Sequence, residues 1–215
     1  MRRLLMTAFL ILGLATTGLA TAGLATAGLA TVARASDVPT GPEDYVGYLG
    51  DHVITRLGAD APRAERAETF AAMMESHLAL DAIARFVAGP YWKNAGAEAR
   101  TRFRAAFKSL LVNRFLPAFA GQADVELNVR DSEPLGQRLW AVRVEVRQPA
   151  AGETTEIALR LLQGPEHPQV ADIITQGISL GLTLREEYTA YLKRHDGDMN
   201  ALIERIEARS RELAS

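Results

Sequence analysis

The chain contains no cysteine, which removes disulfide cross-links, thiolate metal sites and a cysteine nucleophile at one stroke. Its histidines, His52, His77, His167 and His195, show neither H-x-x-x-H spacing nor a carboxylate at ligand distance in sequence. No zinc site is therefore expected. Phosphate-cradling glycine loops of the P-loop or dinucleotide type are missing too, and with them the usual nucleotide cofactors. Glu186 and Glu187 are adjacent, so their side chains diverge on a helix and form no carboxylate dyad. A basic surplus is also lacking, because 24 lysines and arginines stand against 26 aspartates and glutamates. A general nucleic-acid binder draws its affinity from the opposite balance. No metal, no cofactor and no nucleic-acid partner are expected.

The longest local absence is of charge. After Met1-Arg2-Arg3, no charged residue occurs from Leu4 to Ala33, the layout of a basic n-region followed by an apolar h-region. A tandem GLATA-like repeat from Gly18 to Val32 fills much of it, too regular for a packed fold, and Ala33-Arg34-Ala35 before Ser36 supplies small-x-small cleavage chemistry. The stretch is long enough to span a bilayer uncleaved. Its wealth of Ala, Gly and Thr and the well-placed site favour a cleaved signal over an inner-membrane anchor. The reading is a signal peptide over 1–35, a single domain over 36–215, and a bacterial periplasmic location. Losing Arg2, Arg3 and Arg34 takes the net charge from −2 to −5. The remaining length suffices for a core without disulfides.

Past a Pro/Gly-rich leader over 36–42, apolar spacing predicts helices over 43–57, 64–77 and 80–87, and a long one over about 97–120. Phe103, Phe107, Leu110, Leu111 and Phe115 form a continuous stripe on the last of these, and Pro117 should kink or end it. Its other faces carry Arg100, Arg102, Arg104, Lys108 and Arg114, with Lys93 just ahead and Glu98 the lone acid. Those charges fit a solvated face, or a contact for an anionic head group or acidic partner. From Ala123 the period becomes two: Val125, Leu127 and Val129, then Trp140, Val142, Val144 and Val146, then Thr155, Ile157, Leu159 and Leu161, each alternating with polar or small residues. Connections over 132–137, 149–152 and 164–168 are brief and rich in turn residues, which only antiparallel hairpins accommodate. A fourth strand over 169–175 and helices over 182–194 and 199–213 follow, the last with Asp198 as N-cap. This is an α+β layout, helices packed around a small sheet of about four antiparallel strands.

Gly177-Ile178-Ser179-Leu180-Gly181 satisfies G-x-S-x-G between a strand and a helix, the setting of a hydrolase nucleophile elbow. A serine esterase using Ser179 is therefore one hypothesis. It needs a later acid and histidine, and the helical tail offers only His195, with Asp196 directly beside it and Asp198 two further on. An adjacent acid orients a histidine poorly, and the sheet is antiparallel where the elbow uses a parallel one. The simpler reading gives the glycines a tight turn and Ser179 a cap.

Two groups of motifs together resemble the MlaC, or toluene-tolerance, family. Asp81-Ala-Ile-Ala-Arg-Phe-Val-Ala-Gly89, Tyr91-Trp92-Lys93, Arg102-Phe103 and Ala106-Phe107-Lys108 match its first half. Asp172-Ile173, Gly177-Ile178-Ser179-Leu180 and Leu184-Arg185-Glu186-Glu187-Tyr188 match its second. The resemblance covers about 43–207. It implies a non-enzymatic periplasmic carrier, acting as a monomer, that moves phospholipid between the outer and inner membranes. The implied partners are an inner-membrane MCE-type ABC transporter and an outer-membrane lipoprotein. An HpnM-like branch associated with hopanoids is the alternative. The 164–168 turn lacks the family's glycine-tryptophan, and Gln176 stands where an acid is common, which leaves the lipid class open.

The fold implied encloses an apolar cavity. Exposing two acyl chains of about 30 methylenes would cost roughly 24 kcal/mol at ~0.8 kcal/mol each, so a carrier must enclose them. Expected slot walls are Trp140, Val142, Val144, Leu159 and Leu161 of the sheet, and Phe86, Trp92, Phe103, Phe107, Leu110 and Leu111 of the helices. Ile178 and Leu180 are expected to face the same space. Lys93, Arg100 and Arg185 are the candidates to meet a head group or partner.

Overall fold

A computed structural model of the chain describes residues 38–57, 61–119, 125–149 and 152–215. The expected export segment, the Gly58 stop and the tip of the 149–152 turn lie outside the described residues. The elements run α1 (Pro42–Leu57), α2 (Arg63–His77), α3 (Leu80–Ala88), a 3-10 turn (Gly89–Lys93), α4 (Ala97–Phe115), a second 3-10 turn (Leu116–Phe119), β1 (Glu126–Gly136), β2 (Leu139–Gln148), β3 (Glu153–Gln163), β4 (Pro168–Thr175), β5 (Ile178–Ser179), α5 (Leu180–Arg194) and α6 (Met199–Ala214). The strands form one antiparallel sheet in sequence order, as the brief connections require.

Two boundaries differ from expectation, each for a physical reason. Residues 132–136 of that segment are strand, and β1 turns into β2 only at Gln137 and Arg138. Pro134 is tolerated because β1 is an edge strand, and register shifts between Val129 and Asp131 and between Pro134 and Gly136 absorb the misfit. The second difference is a fifth strand. Gln176 and Gly177 adopt positive φ of 50° and 75°, which suits a two-residue hairpin turn, so Ile178 and Ser179 pair with β4 before α5 begins. Pro117 stops α4 as expected, and the chain passes into a 3-10 turn.

Apolar residues gather in two cores. The helical core centres on Phe103, Phe107, Leu110 and Leu111 of α4, packed with Ala84 and Val87 of α3, Leu184, Tyr188 and Leu192 of α5, and Leu202, Ile203 and Ile206 of α6. Phe103 and Phe107 stack, and Tyr188 meets both edge-on. The second core is one sheet face, with Val142, Val144, Leu161 and Val170 under Tyr45 and Val46 of α1. Leu78 packs against both cores and bridges to Val170. The opposite sheet face is wet and carries the ion pairs Glu126–Arg147, Arg130–Glu145 and Asp131–Arg143.

The cations of α4 have partners inside the molecule. Arg102 pairs with Glu207, Arg104 with Glu75 and Asp81, and Lys108 with Glu75. Arg104, then Lys108, hold the Glu75 carboxyl down at about 2.

Two outcomes are expected. Phe107→Ala should cost about 3–5 kcal/mol in urea unfolding, since a fully buried ring leaves a cavity between four helices. The Glu75 network has a depressed folded pKa, so its stabilisation is complete above the carboxyl's ordinary 4.5 and disappears as pH falls towards about 2. Unfolding midpoints of Glu75→Gln and the parent should therefore differ at neutral pH and converge over that interval.

Candidate functional site

The seam between sheet and helices is organised by Asp172 of β4, whose side chain is only 8% exposed. Its Oδ2 accepts a hydrogen bond from Ser179 Oγ at 2.6 Å and one from Arg160 Nη1 at 3.2 Å. Its Oδ1 accepts from the backbone N–H groups of Gly181 and Ile173, each at 2.9 Å. A nearly buried carboxylate is tolerated when donors fill its lone pairs this way. Ser179 Oγ in turn accepts the Leu182 N–H at 3.0 Å, so it is the N-cap of α5. Gly181 is required here: a Cβ would lie 3.1 Å from Asp172 Oδ1 and 3.5 Å from the Phe86 ring.

This geometry bears on the elbow-like motif. The Ser179 hydroxyl gives its hydrogen to a carboxylate and receives a backbone donor, and a nucleophile instead needs a histidine to take its proton. His195 is the C-cap of α5, about 24 Å along the helix axis from Ser179 at ~1.5 Å per residue. The structure does not bring the two together.

The apolar sheet face lies on the other side of β4 from Asp172, where Ile173 points. Cross-strand register sets Val129, Val144, Ile157, Thr175 and Ile178 in one rung across all five strands, and Ser132, Val142, Leu159 and Ile173 in the next. α1 lies against β1 and β2, where Gly50 leaves room for Leu127, and Val142 and Val144 are sealed beneath it. Towards β4 and β5 the same rungs lose their cover. Ile157 and Leu159 are half-buried, while Ile173 and Ile178 are 38% and 46% exposed. Phe86 and Leu182, at 41% and 46%, flank the Gly181 end of the seam. A depression of about 460 Å3 adjoins the open end, lined in part by Thr155, Ile157, Ile174 and Gly177.

The expected slot residues fall into distinct settings. Val142, Val144, Leu159 and Leu161 share the sheet core, and half-buried Trp140 pairs with Leu161 in the third rung. Phe103, Phe107, Leu110 and Leu111 lie inside the helical core, with Trp92 and Leu180 against its margin. Sheet and helix residues thus line two cores rather than facing each other across one space. Phe86 and Ile178 are at the exposed rim. Among the head-group candidates, Arg100 donates to the carbonyls of Trp92 and Lys93 and so closes the 3-10 turn. Arg185 donates to Phe86 O and lies 4.8 Å over the Phe86 ring. Lys93 is exposed. Arg160 and Ile173 were not singled out from sequence as site residues. Ile173 belongs to the aspartate-hydrophobic pair already noted, whereas Arg160 becomes visible only through its register opposite Asp172.

The pattern of the MlaC protein family matches residues 49–208. Among solved structures, a phospholipid-binding protein from Ralstonia solanacearum, determined in complex with a phospholipid, has the same fold. Its TM-score is 0.70 at 19% identity, covering 79% of this chain and 97% of that one. No curated protein matches the chain.

The Asp172 hub makes a graded prediction. Ser179→Ala loses one cap and should cost about 1 kcal/mol. Asp172→Ala strands the Gly181 N–H and the Arg160 guanidinium as well and should cost about 2–4 kcal/mol. Equal losses in chemical denaturation would contradict the hub.

Proposed function

The chain belongs to the MlaC family, and from that premise we propose that it is a periplasmic, non-enzymatic carrier that encloses the acyl chains of a phospholipid. The observation that carries this reading is the pair of apolar rungs running from sealed Val142 and Val144 to exposed Ile173 and Ile178. Acyl chains laid along Leu159 and Ile157, between α1 and the β4–β5 edge, would exchange water for apolar surface at about 25 cal/mol per Å2. The head group would remain outside, near the Arg185 and Phe86 rim. Binding of this kind needs no reacting group, which agrees with a Ser179 committed to Asp172 and Leu182.

The remaining parts of the proposed role extend the carrier reading. The 1–35 segment is a cleaved signal, and residues 36–215 are the carrier, a monomer shuttling between an outer-membrane lipoprotein and an inner-membrane MCE-type ABC transporter. Among the described residues no helix is long and apolar enough to cross a membrane. A hopanoid in place of the phospholipid would use the same rungs.

Native mass spectrometry of protein exported by its own signal should show a chain beginning at Ser36 with about one lipid bound, and extraction identifies its class. Leu159→Glu puts a carboxylate on the open rung and should lower occupancy by about tenfold or more with circular dichroism unchanged. Protein that emerges lipid-free from gentle preparation and takes up none from vesicles would refute the carrier reading. Ester hydrolysis abolished by Ser179→Ala would reinstate the enzyme.

A further inference from the structure

α1 closes half of the sheet face, and the way it is fastened differs from every other helix contact described above. Where α1 meets the end of α2 and the turn between β3 and β4, three histidines and two tyrosines converge. The buried Tyr45 hydroxyl lies 3.0 Å from Nδ1 of His77, the last residue of α2. His167, in the β3–β4 turn, stacks on the Tyr45 ring at 5.4 Å and stands 5.3 Å from the His77 ring. Its Nδ1 donates to Pro168 O at 2.7 Å. Tyr48, one turn along α1, meets His77 edge-on at 6.2 Å and packs on His52 at 4.0 Å.

The surrounding charges do not suit imidazolium. Burial, then the neighbouring His167, His52 and Arg56, hold the His77 imidazole below its ordinary range. Burial, with Tyr48 beside it, pushes the Tyr45 hydroxyl up, so that hydroxyl keeps its hydrogen. The nearby acids are Glu75 of α2 and Glu166 of the turn, which line a groove with His167. Glu75 is already held by Arg104 and Lys108. No salt bridge to His77 or His167 occurs among the described residues.

We propose that this cluster is a proton-operated latch: protonation of His77 beside His167 releases α1 from α2 and the β3–β4 turn and uncovers the sheet face beneath it. An imidazolium at His77, in a site partly withdrawn from water, 5.3 Å from the His167 ring and without a carboxylate partner, is costly to keep there. Because the folded pKa of His77 is depressed, the closed state has its full stability above about 6.5, the ordinary imidazole value, and loses it as pH falls towards the depressed value. Opening would free the rungs under Tyr45 and Val46, so acid would also promote cargo exchange. That consequence rests on the proposed lipid role, whereas the latch does not.

The test is hydrogen exchange by mass spectrometry on the mature chain at about pH 7.5 and about pH 5, corrected for the intrinsic pH dependence of exchange. Protection of α1 should fall by about tenfold at the lower pH while α4 is unchanged, and His77→Gln/His167→Gln should remove the difference. His195→Gln, outside the cluster, should behave like the parent. An α1 protection independent of pH, or an undiminished response in the double variant, overturns the latch. Should the double variant not fold, His167→Gln alone removes the facing imidazole and leaves the Tyr45–His77 contact. It should move the midpoint of α1 opening to a different pH, and an unmoved midpoint overturns the proposal equally. In parallel, transfer of a fluorescent phosphatidylglycerol from the protein to vesicles is followed at both pH values. If α1 opens but transfer is unchanged, the latch stands and the placement of acyl chains under α1 fails.

Discussion

One carboxylate joins the two halves of this molecule. Asp172 belongs to the sheet, yet two of its four donors, the Ser179 hydroxyl and the Gly181 N–H, belong to the start of α5. Helix N-termini leave N–H groups without partners and favour negative charge nearby, so the carboxylate meets both needs of α5 at once. The cost of withdrawing it from water is offset by Arg160 from the next strand. Removing any one donor leaves the others to carry the charge, but removing the carboxylate frees the strand from the helix. The short β5, the positive φ values of Gln176 and Gly177, and the missing side chain at Gly181 all follow from bringing Ser179 and Gly181 to this point.

With α5 fixed there, the helices complete a core of their own. Phe103, Phe107 and Tyr188 interlock, and the α4–α6 contact is closed by Ser109, Asn113 and Ser210 hydrogen-bonded together. That body meets the sheet along β4, through the Leu78–Val170 bridge and Asp172. One sheet face is therefore wet over β1 and β2, where ion pairs balance it, and meets the helices at Asp172 of β4, while the other is apolar and covered by α1 over β1 and β2. An apolar face with a half-open margin is a liability in an ordinary globular domain. In the proposed carrier it would be the working surface.

Much of this was legible in the sequence because local and global signals agree there. Periodicity of 3.6 followed by periodicity of 2 located the six helices and the four long strands, and the brief connections set the meander. The stripe Phe103, Phe107, Leu110 and Leu111 was read as one apolar face, which it is. Its destination was not readable, since a stripe says that a face is buried and not what it is buried against. The assignment of these residues to the same space as Val142 and Leu161 needed tertiary placement that no single-chain pattern holds. The strand over 132–136 is not legible in the sequence because Pro and Gly are turn residues in most settings, and only an edge position with bulges permits them in a ladder. Gln176 gave no sign of positive φ, so β5 was missed with it.

The G-x-S-x-G stretch lies where fixed parts of the molecule meet movable ones. A nucleophile elbow and an N-cap both need a small polar residue at a strand-to-helix turn with glycine beside it, so the motif alone cannot choose between them. The partner chooses: a carboxylate on Ser179 Oγ makes a hinge pin. Around that pin α5 is held by charge-assisted hydrogen bonds to the Asp172 carboxylate. α1, by contrast, is attached by apolar packing on Val142 and Val144 and by the Tyr45–His77–His167 contact, where the proposed latch places the protonation of His77. Of the two helices that border the open rungs, α1 is thus the one that can move without dismantling the seam. The edge where cargo would enter and the element that would yield to it are set by two different kinds of bond.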